Sequence, residues 1–127
     1  MEYLLDTHAF LWFIDGSIEL SPQAKKIIQN TDNNIYLSIG SLWEIAIKIK
    51  IGKLSIDMSF NELKKESDKN DIRLLPVQYE DILVLTSLEL YHKDPFDRII
   101  IAQAIQHNLT IITKDSNFSD YPVKVVW

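Results

Sequence analysis

The sequence predicts an α/β fold: an α/β/α sandwich around a central parallel sheet of four to five strands, with residues 1-127 forming a single domain. Three observations carry this. Five short apolar runs rich in β-formers alternate with longer segments of helical period, the pattern of parallel strands joined by crossover helices. Punctuation is sparse, with 3 Gly and 4 Pro, and the connecting stretches are short, so no linker divides the chain. A length of 127 residues is that of one ordinary domain. Such a chain buries roughly two thirds of its extended surface and needs no staple.

Tyr3 to Leu5 is the first strand, and Thr7 to Ile14 the helix after it. Ser21 and Pro22 open the second helix with a capping residue and a proline at the first helical position. Ile35 to Leu37 is the second strand. Ser41 to Ile51 is a strongly apolar helix ended by Gly52, and Ser59 to Asn70 an amphipathic, highly charged one. The third strand, Arg73 to Leu75, leads to a helix over Gln78 to Leu90 that repeats apolar residues at Ile82, Leu83, Leu85 and Leu88. Asp94 to His107 is the last helix, carrying Ile99, Ile100, Ala102 and Ile105. Thr110 to Ile112 and Lys124 to Val126 complete the strands.

Composition narrows the function. An apolar fraction of 46% and a charged fraction of 24% exclude a disordered tail, a collagen-like fibre and a disulfide scaffold. The absence of cysteine excludes thiol catalysis, cysteine-type zinc sites and redox sensing. No window approaches the roughly 20 apolar residues of a bilayer helix. The opening residues, MEYLLD, carry acids where a signal peptide carries basic residues, so a cytoplasmic protein is expected. With 13 basic against 18 acidic residues, net −5, the chain is no bulk electrostatic binder of nucleic acid.

Ligands of an open parallel sheet bind beyond the carboxyl ends of its strands, so the polar residues there matter most. Asp6, Thr7 and His8 follow the first strand, and Ser38, Ser41 and Glu44 the second. Thr113, Lys114 and Asp115 follow the fourth, and Asp94 and Asp97 open the helix before it. Each acid has a structural reading of its own. Asp6 is placed to cap the first helix, a role compatible with ligation because a carboxylate has two oxygens. Ser41 and Glu44 have the spacing of a capping box, and Glu44 with Lys48 forms an i,i+4 pair. Yet the helix around Glu44 leaves almost no solvated face, so the carboxylate needs a strong partner, a role a cation would fill. Asp94 can cap the last helix with Asp97 in its first turn, or the two can share a cation, and Asp115 fits a turn. Caps alone need not converge on one sheet edge. A metal site requires it, because crowded carboxylates repel without an intervening cation. Oxygen ligands match Mg²⁺ first and Mn²⁺ next. The three histidines are scattered, which gives no sign of zinc. His92, two residues before Asp94, suits a loop or capping role.

At this point the chain resembles a family. LLDTHAFLW, SLWEIAIK with GKL, HKDPFDRIIIAQA and IITKDSNF occur in that order across almost the whole chain, and together resemble PIN-domain nucleases of the VapC toxin type. The resemblance implies a PIN-like fold and a Mg²⁺-dependent ribonuclease, the toxin half of a toxin–antitoxin pair, neutralised by an antitoxin segment near the site and acting as a homodimer. By position, Asp6, Glu44 and Asp97 match the family's core acids and Asp115 the more variable fourth. Asp94 is an accessory acid, and Thr7 and Thr113 match flanking hydroxyls. Asp6 and Asp97 are expected to hold the metal directly, and Glu44 and Asp115 directly or through water. Lys48, Lys53, Lys93, Arg98 and Lys114 are candidate phosphate contacts, with solvated charge or ion pairing as the alternative for each. Since the phosphodiester chemistry is shared with DNA, RNA rests on the resemblance alone.

Rival classes fit less well. A phosphoacceptor domain wants an acid after the central strand where Pro76 stands, and neither GxxxxGK nor GxGxxG occurs. A haloacid-type phosphatase wants DxD where the chain reads Asp6-Thr7-His8. The alternative that remains is an inactive PIN-like interaction module whose acids cap helices, with Phe10, Trp12 and Phe13 available for a partner surface.

Overall fold

A computed structural model describes residues 1–127. The strands are β1 (Glu2–Leu5), β2 (Asn34–Ser38), β3 (Ile72–Leu75), β4 (Thr110–Ile112) and β5 (Val125–Val126). All pair in parallel, in the order β3-β2-β1-β4-β5. The helices are α1 (Thr7–Asp15), α2 (Pro22–Gln29), α3 (Ile39–Lys50), α4 (Phe60–Lys69), α5 (Tyr79–Ser87) and α6 (Pro95–His107), with a 3₁₀ turn over Ser116–Asp120.

Side chains alternate across a strand, and the sheet is covered on both faces accordingly. Leu5, Ile35, Leu37 and Ile112 face one core with Phe10 of α1, Ala24 and Ile28 of α2, Ile45 of α3 and Leu63 of α4. Leu4 and Ile111 face the other with Ile100, Ile101 and Ala104 of α6, Phe118 and Tyr121. The result is the three-layer α/β/α sandwich that the alternation of strands and helices predicts. Each of the five predicted strands is present. Phe10 is fully buried and Trp12 and Phe13 pack against the first core, so α1 serves the interior more than a partner surface.

Two helices differ from the sequence expectation. α3 begins at Ile39, not at Ser41: Ser38 is its cap, accepting from Gly40 N at 3.0 Å. The Ser41–Glu44 capping box is therefore absent, and Ser41 lies inside the helix, fully buried. α5 stops at Ser87, with Ile82 and Leu83 exposed. It is opened instead by a box between Gln78 and Asp81, whose Oδ2 accepts from Gln78 N at 2.8 Å. At the end of α1, Gly16 takes φ 64°, left-handed backbone that a side chain would strain. No helix is long and apolar enough to cross a membrane.

The strand order fixes where a ligand belongs. From β1 the chain runs outward through β2 and β3, then returns to β4 on the other side of β1. The crevice beyond the carboxyl ends of β1 and β4 is thus the switch point of the sheet.

Candidate functional site

Asp6 and Thr113 sit directly beyond those two strand ends, and they bond across the crevice: Thr113 Oγ1 donates to Asp6 Oδ2 at 2.6 Å. Asp6 Oδ1 accepts from Ala9 N at 2.7 Å, so the predicted cap of α1 is present too. Burial pushes the Asp6 carboxyl above the usual carboxylate range, against the lowering effect of these two hydrogen bonds.

Glu44 reaches the same place from α3. Its Oε1 accepts from Thr7 Oγ1 at 2.8 Å, and Thr7 shares a further hydrogen bond with Ser41 Oγ at 3.0 Å. Its Oε2 pairs with Lys48 at 2.9 Å. The strong partner that a buried Glu44 requires is thus Lys48 of the same helix, and Lys48 is held as an ion-pair partner.

Asp97, in the first turn of α6, caps nothing. The cap is Asp94, whose Oδ1 accepts from Phe96 N and Asp97 N at 2.9 and 3.2 Å. The reciprocal arm of a box, which Asp81 supplies at the start of α5, is missing here, and Asp94 N instead donates to His92 Nδ1 at 3.4 Å. Asp97 Oδ2 lies 2.9 Å from His92 Nε2. Its carboxyl is pushed up to about 7: burial is the largest cause, then the charge of Asp94, with His92 opposing and Glu44 and Asp6 adding to the rise. Asp115 caps the 3₁₀ turn through Oδ1 and turns Oδ2 toward His92 Nε2 at 3.8 Å. One ligand atom each from His92, Asp97 and Asp115 fall within 4.8 Å of one another, room for a single ion. A cavity of about 210 Å³ lined by Asp6, His8, Trp12, Lys114 and Asp115 opens beside them.

The fold therefore brings Asp6, Glu44, Asp94, Asp97 and Asp115 together with Thr7, Thr113 and His92. It does not bring Arg98 to the crevice. That guanidinium is buried and turned away, donating to the carbonyls of Leu88, Glu89 and His92. Arg98 is a support of the 88–92 loop, which corrects the expectation of a phosphate contact. Tyr121 shares the task, donating to Glu89 O at 2.7 Å and accepting from His92 N at 2.9 Å. Tyr121 lies 23 positions from Arg98, and no local signal in the sequence ties it to this loop.

A parallel α/β sheet with carboxylates from four segments at its switch point defines a class of acid-centred α/β domains. The chain belongs to the PIN domain family, which it matches over residues 3–124. No curated protein sequence matches it. Among solved structures it is similar to VapBC2 from Rickettsia felis bound to a DNA fragment from their promoter, with a TM-score of 0.73 and 16% identity over 100% of this chain and 99% of that one. It is also similar to FitAcB from Neisseria gonorrhoeae, at 0.67 and 20% over 98% and 96%. A toxin-antitoxin complex from Klebsiella pneumoniae gives 0.66 and 20% over 98% and 96%. At these identities the likeness is one of fold.

Proposed function

We propose that the chain is a Mg²⁺-dependent endoribonuclease acting as one 127-residue unit, the toxin component of a toxin–antitoxin pair in the cytoplasm. The observation that carries this is Asp97: a carboxylate that caps nothing, pushed up to about 7 by burial and by three neighbouring acids. Folding gains nothing from such repulsion, whereas a cation site needs it. The donor set fits a hard divalent ion, being oxygen throughout apart from one imidazole. Asp6 and Asp97 hold the ion directly, with Glu44 and Asp115 direct or through water, and Mn²⁺ is a substitute. A bound ion supplies Lewis acidity toward the phosphate and acidifies water at the site.

The chain's own groups do the rest. Thr113 and Thr7 fix Asp6 and Glu44, so that each carboxylate offers a set orientation. Lys114, over the Trp12 ring and in an exposed pair with Glu19 at 3.3 Å, is the cation beside the cavity that can turn to the RNA backbone. With a net charge of −5, binding of RNA depends on the ion and on few phosphate contacts, and its salt dependence is shallow. The antitoxin partner is supported by the toxin–antitoxin complexes among the structural relatives. A homodimer is supported by an apolar groove where Ile39, Trp43, Val77, Ile82 and Phe96 meet.

The alternative, an inactive module whose acids cap helices, accounts for Asp6, Asp94 and Asp115. It leaves Asp97, which caps no helix and faces only His92, crowded by acids to no structural end. Cleavage of structured RNA by the antitoxin-free chain decides between them. Cleavage that requires Mg²⁺ or Mn²⁺ and vanishes in Asp97→Asn supports the nuclease. No cleavage with either ion by the folded chain would leave the module.

A further inference from the structure

His8 stands in the first turn of α1, two residues after Asp6, and is exposed. Its ring makes contact through its face. It stacks on Trp12, one turn further along the helix, with centroids 5.5 Å apart and planes 27° from parallel. Trp12 is held in its turn, packing against the first core and meeting the Trp127 ring edge-on at 5.8 Å. His8 is therefore the outer member of a fixed aromatic stack, set beside the acids at the carboxyl end of β1.

The cavity that these two rings border holds about 210 Å³. Sites for drug-sized molecules begin at roughly 300 Å³, so this one has room for a single ring system. Its other walls are charged: Asp6 and Asp115 on the side of the ion, and Lys114, whose Nζ lies 5.8 Å from the Trp12 ring. An apolar protein side chain would strip water from these charges and return nothing for it. A nucleotide suits both kinds of wall. Its base has a π-face for a stacked ring, and its phosphate answers to Lys114 and to the ion. Stacking uses the face of an imidazole and not its nitrogens, so it does not depend on where the ring's proton lies.

We infer that His8, backed by Trp12, is the stacking platform for one unpaired nucleobase of the RNA, next to the phosphate presented to the ion. This rests on the nuclease reading above and adds to it the state of the substrate. A base inside a duplex offers only its edges, so the strand is unpaired where it meets the platform. Because every base has a π-face, the platform selects for unpaired RNA and tolerates any base.

Two variants make the test. His8→Ala removes the face, and His8→Phe keeps a face while discarding both nitrogens. Binding of a fluorescein-labelled single-stranded RNA octamer to the antitoxin-free chain is measured by anisotropy, with Ca²⁺ in place of Mg²⁺ to slow cleavage. The same octamer annealed to its complement is the comparison. The inference predicts single-strand affinity about tenfold weaker in His8→Ala, close to wild type in His8→Phe, and duplex affinity little changed in either. Mn²⁺ affinity, read by calorimetry, should be that of wild type in both. Single-strand affinity unchanged in His8→Ala would overturn the inference and leave this face to a protein partner. Equal losses in the two variants would overturn it by making a ring nitrogen the contact, and so would a loss of Mn²⁺ affinity. With any of these results, cleavage by the wild type with Mg²⁺ or Mn²⁺ would leave the nuclease reading standing. A wild type that neither binds the octamer nor cleaves RNA with either ion would overturn both.

Discussion

Helix α6 carries an Asp–His pair at each end, and the two could hardly differ more in consequence. At its last residue, His107 Nε2 lies 3.2 Å from Asp81 Oδ1. At its first turn, Asp97 Oδ2 lies 2.9 Å from His92 Nε2. Asp81 is fully buried, and its second oxygen closes the box that opens α5. One acid there faces one ring, where α5 meets α6. Around Asp97 stand Asp94, Glu44 and Asp6 as well, and a single imidazole faces both Asp97 and Asp115. The same two side chains thus stand as an isolated pair at one end and within a surplus of negative charge at the other. On the function proposed above, it is the surplus, and not the presence of buried acids, that marks the functional end of the fold.

That contrast breaks first at Asp97. Asp97→Asn should lower Mn²⁺ affinity by more than about 100-fold, beyond what loss of a mere supporting group costs. The same change should raise the melting temperature of the ion-free chain, because it removes repulsion and no cap. Calorimetry and thermal unfolding read the two effects separately. Asp81→Ala should do the reverse. It should cost about 2 kcal/mol of stability in chemical denaturation, since it leaves the Gln78 N–H without its partner, while ion affinity stays as in wild type.

Smaller effects sharpen the comparison. Thr113→Val withdraws both the donor on Asp6 and the acceptor of the Asp115 N–H, and should weaken Mn²⁺ binding about tenfold. The pH dependence follows from the raised carboxyl of Asp97. In the folded, ion-free chain it holds its proton at pH values where the unfolded chain has lost it. Its contribution is therefore fully present below the ordinary carboxylate range and is lost as pH rises through about 7. Melting temperature should fall by a few degrees between pH 4 and 7 by this route, and the fall should flatten in Asp97→Asn. Ion affinity should rise over the same range, because binding displaces the proton.

Much of this was legible in the residues. The five apolar runs specify buried parallel strands with little ambiguity, and the acids beyond their ends follow from the topology. Two kinds of feature were not. Ser38 and Ser41 are both acceptable caps, and only the Thr7 hydroxyl from a distant helix draws Ser41 inside α3. Arg98 sits beside Asp97 in the sequence and looks like a group for phosphate. Its direction is set by carbonyls of a loop that it must satisfy, which no spacing encodes. Such misreadings concern where a long or bonded side chain points, a property of tertiary contact and not of periodicity.

The central claim is that the surplus of carboxylates at the switch point is a metal centre. Calorimetric titration of Mn²⁺ into antitoxin-free wild-type and Asp97→Asn chains, with the ion-free melting temperature of each, tests it most directly. The prediction is heat of binding in the wild type, none in the variant, and a variant that melts no lower than wild type. A wild type that binds no ion at millimolar concentration, with a variant that melts lower, would contradict it and leave Asp97 a structural residue.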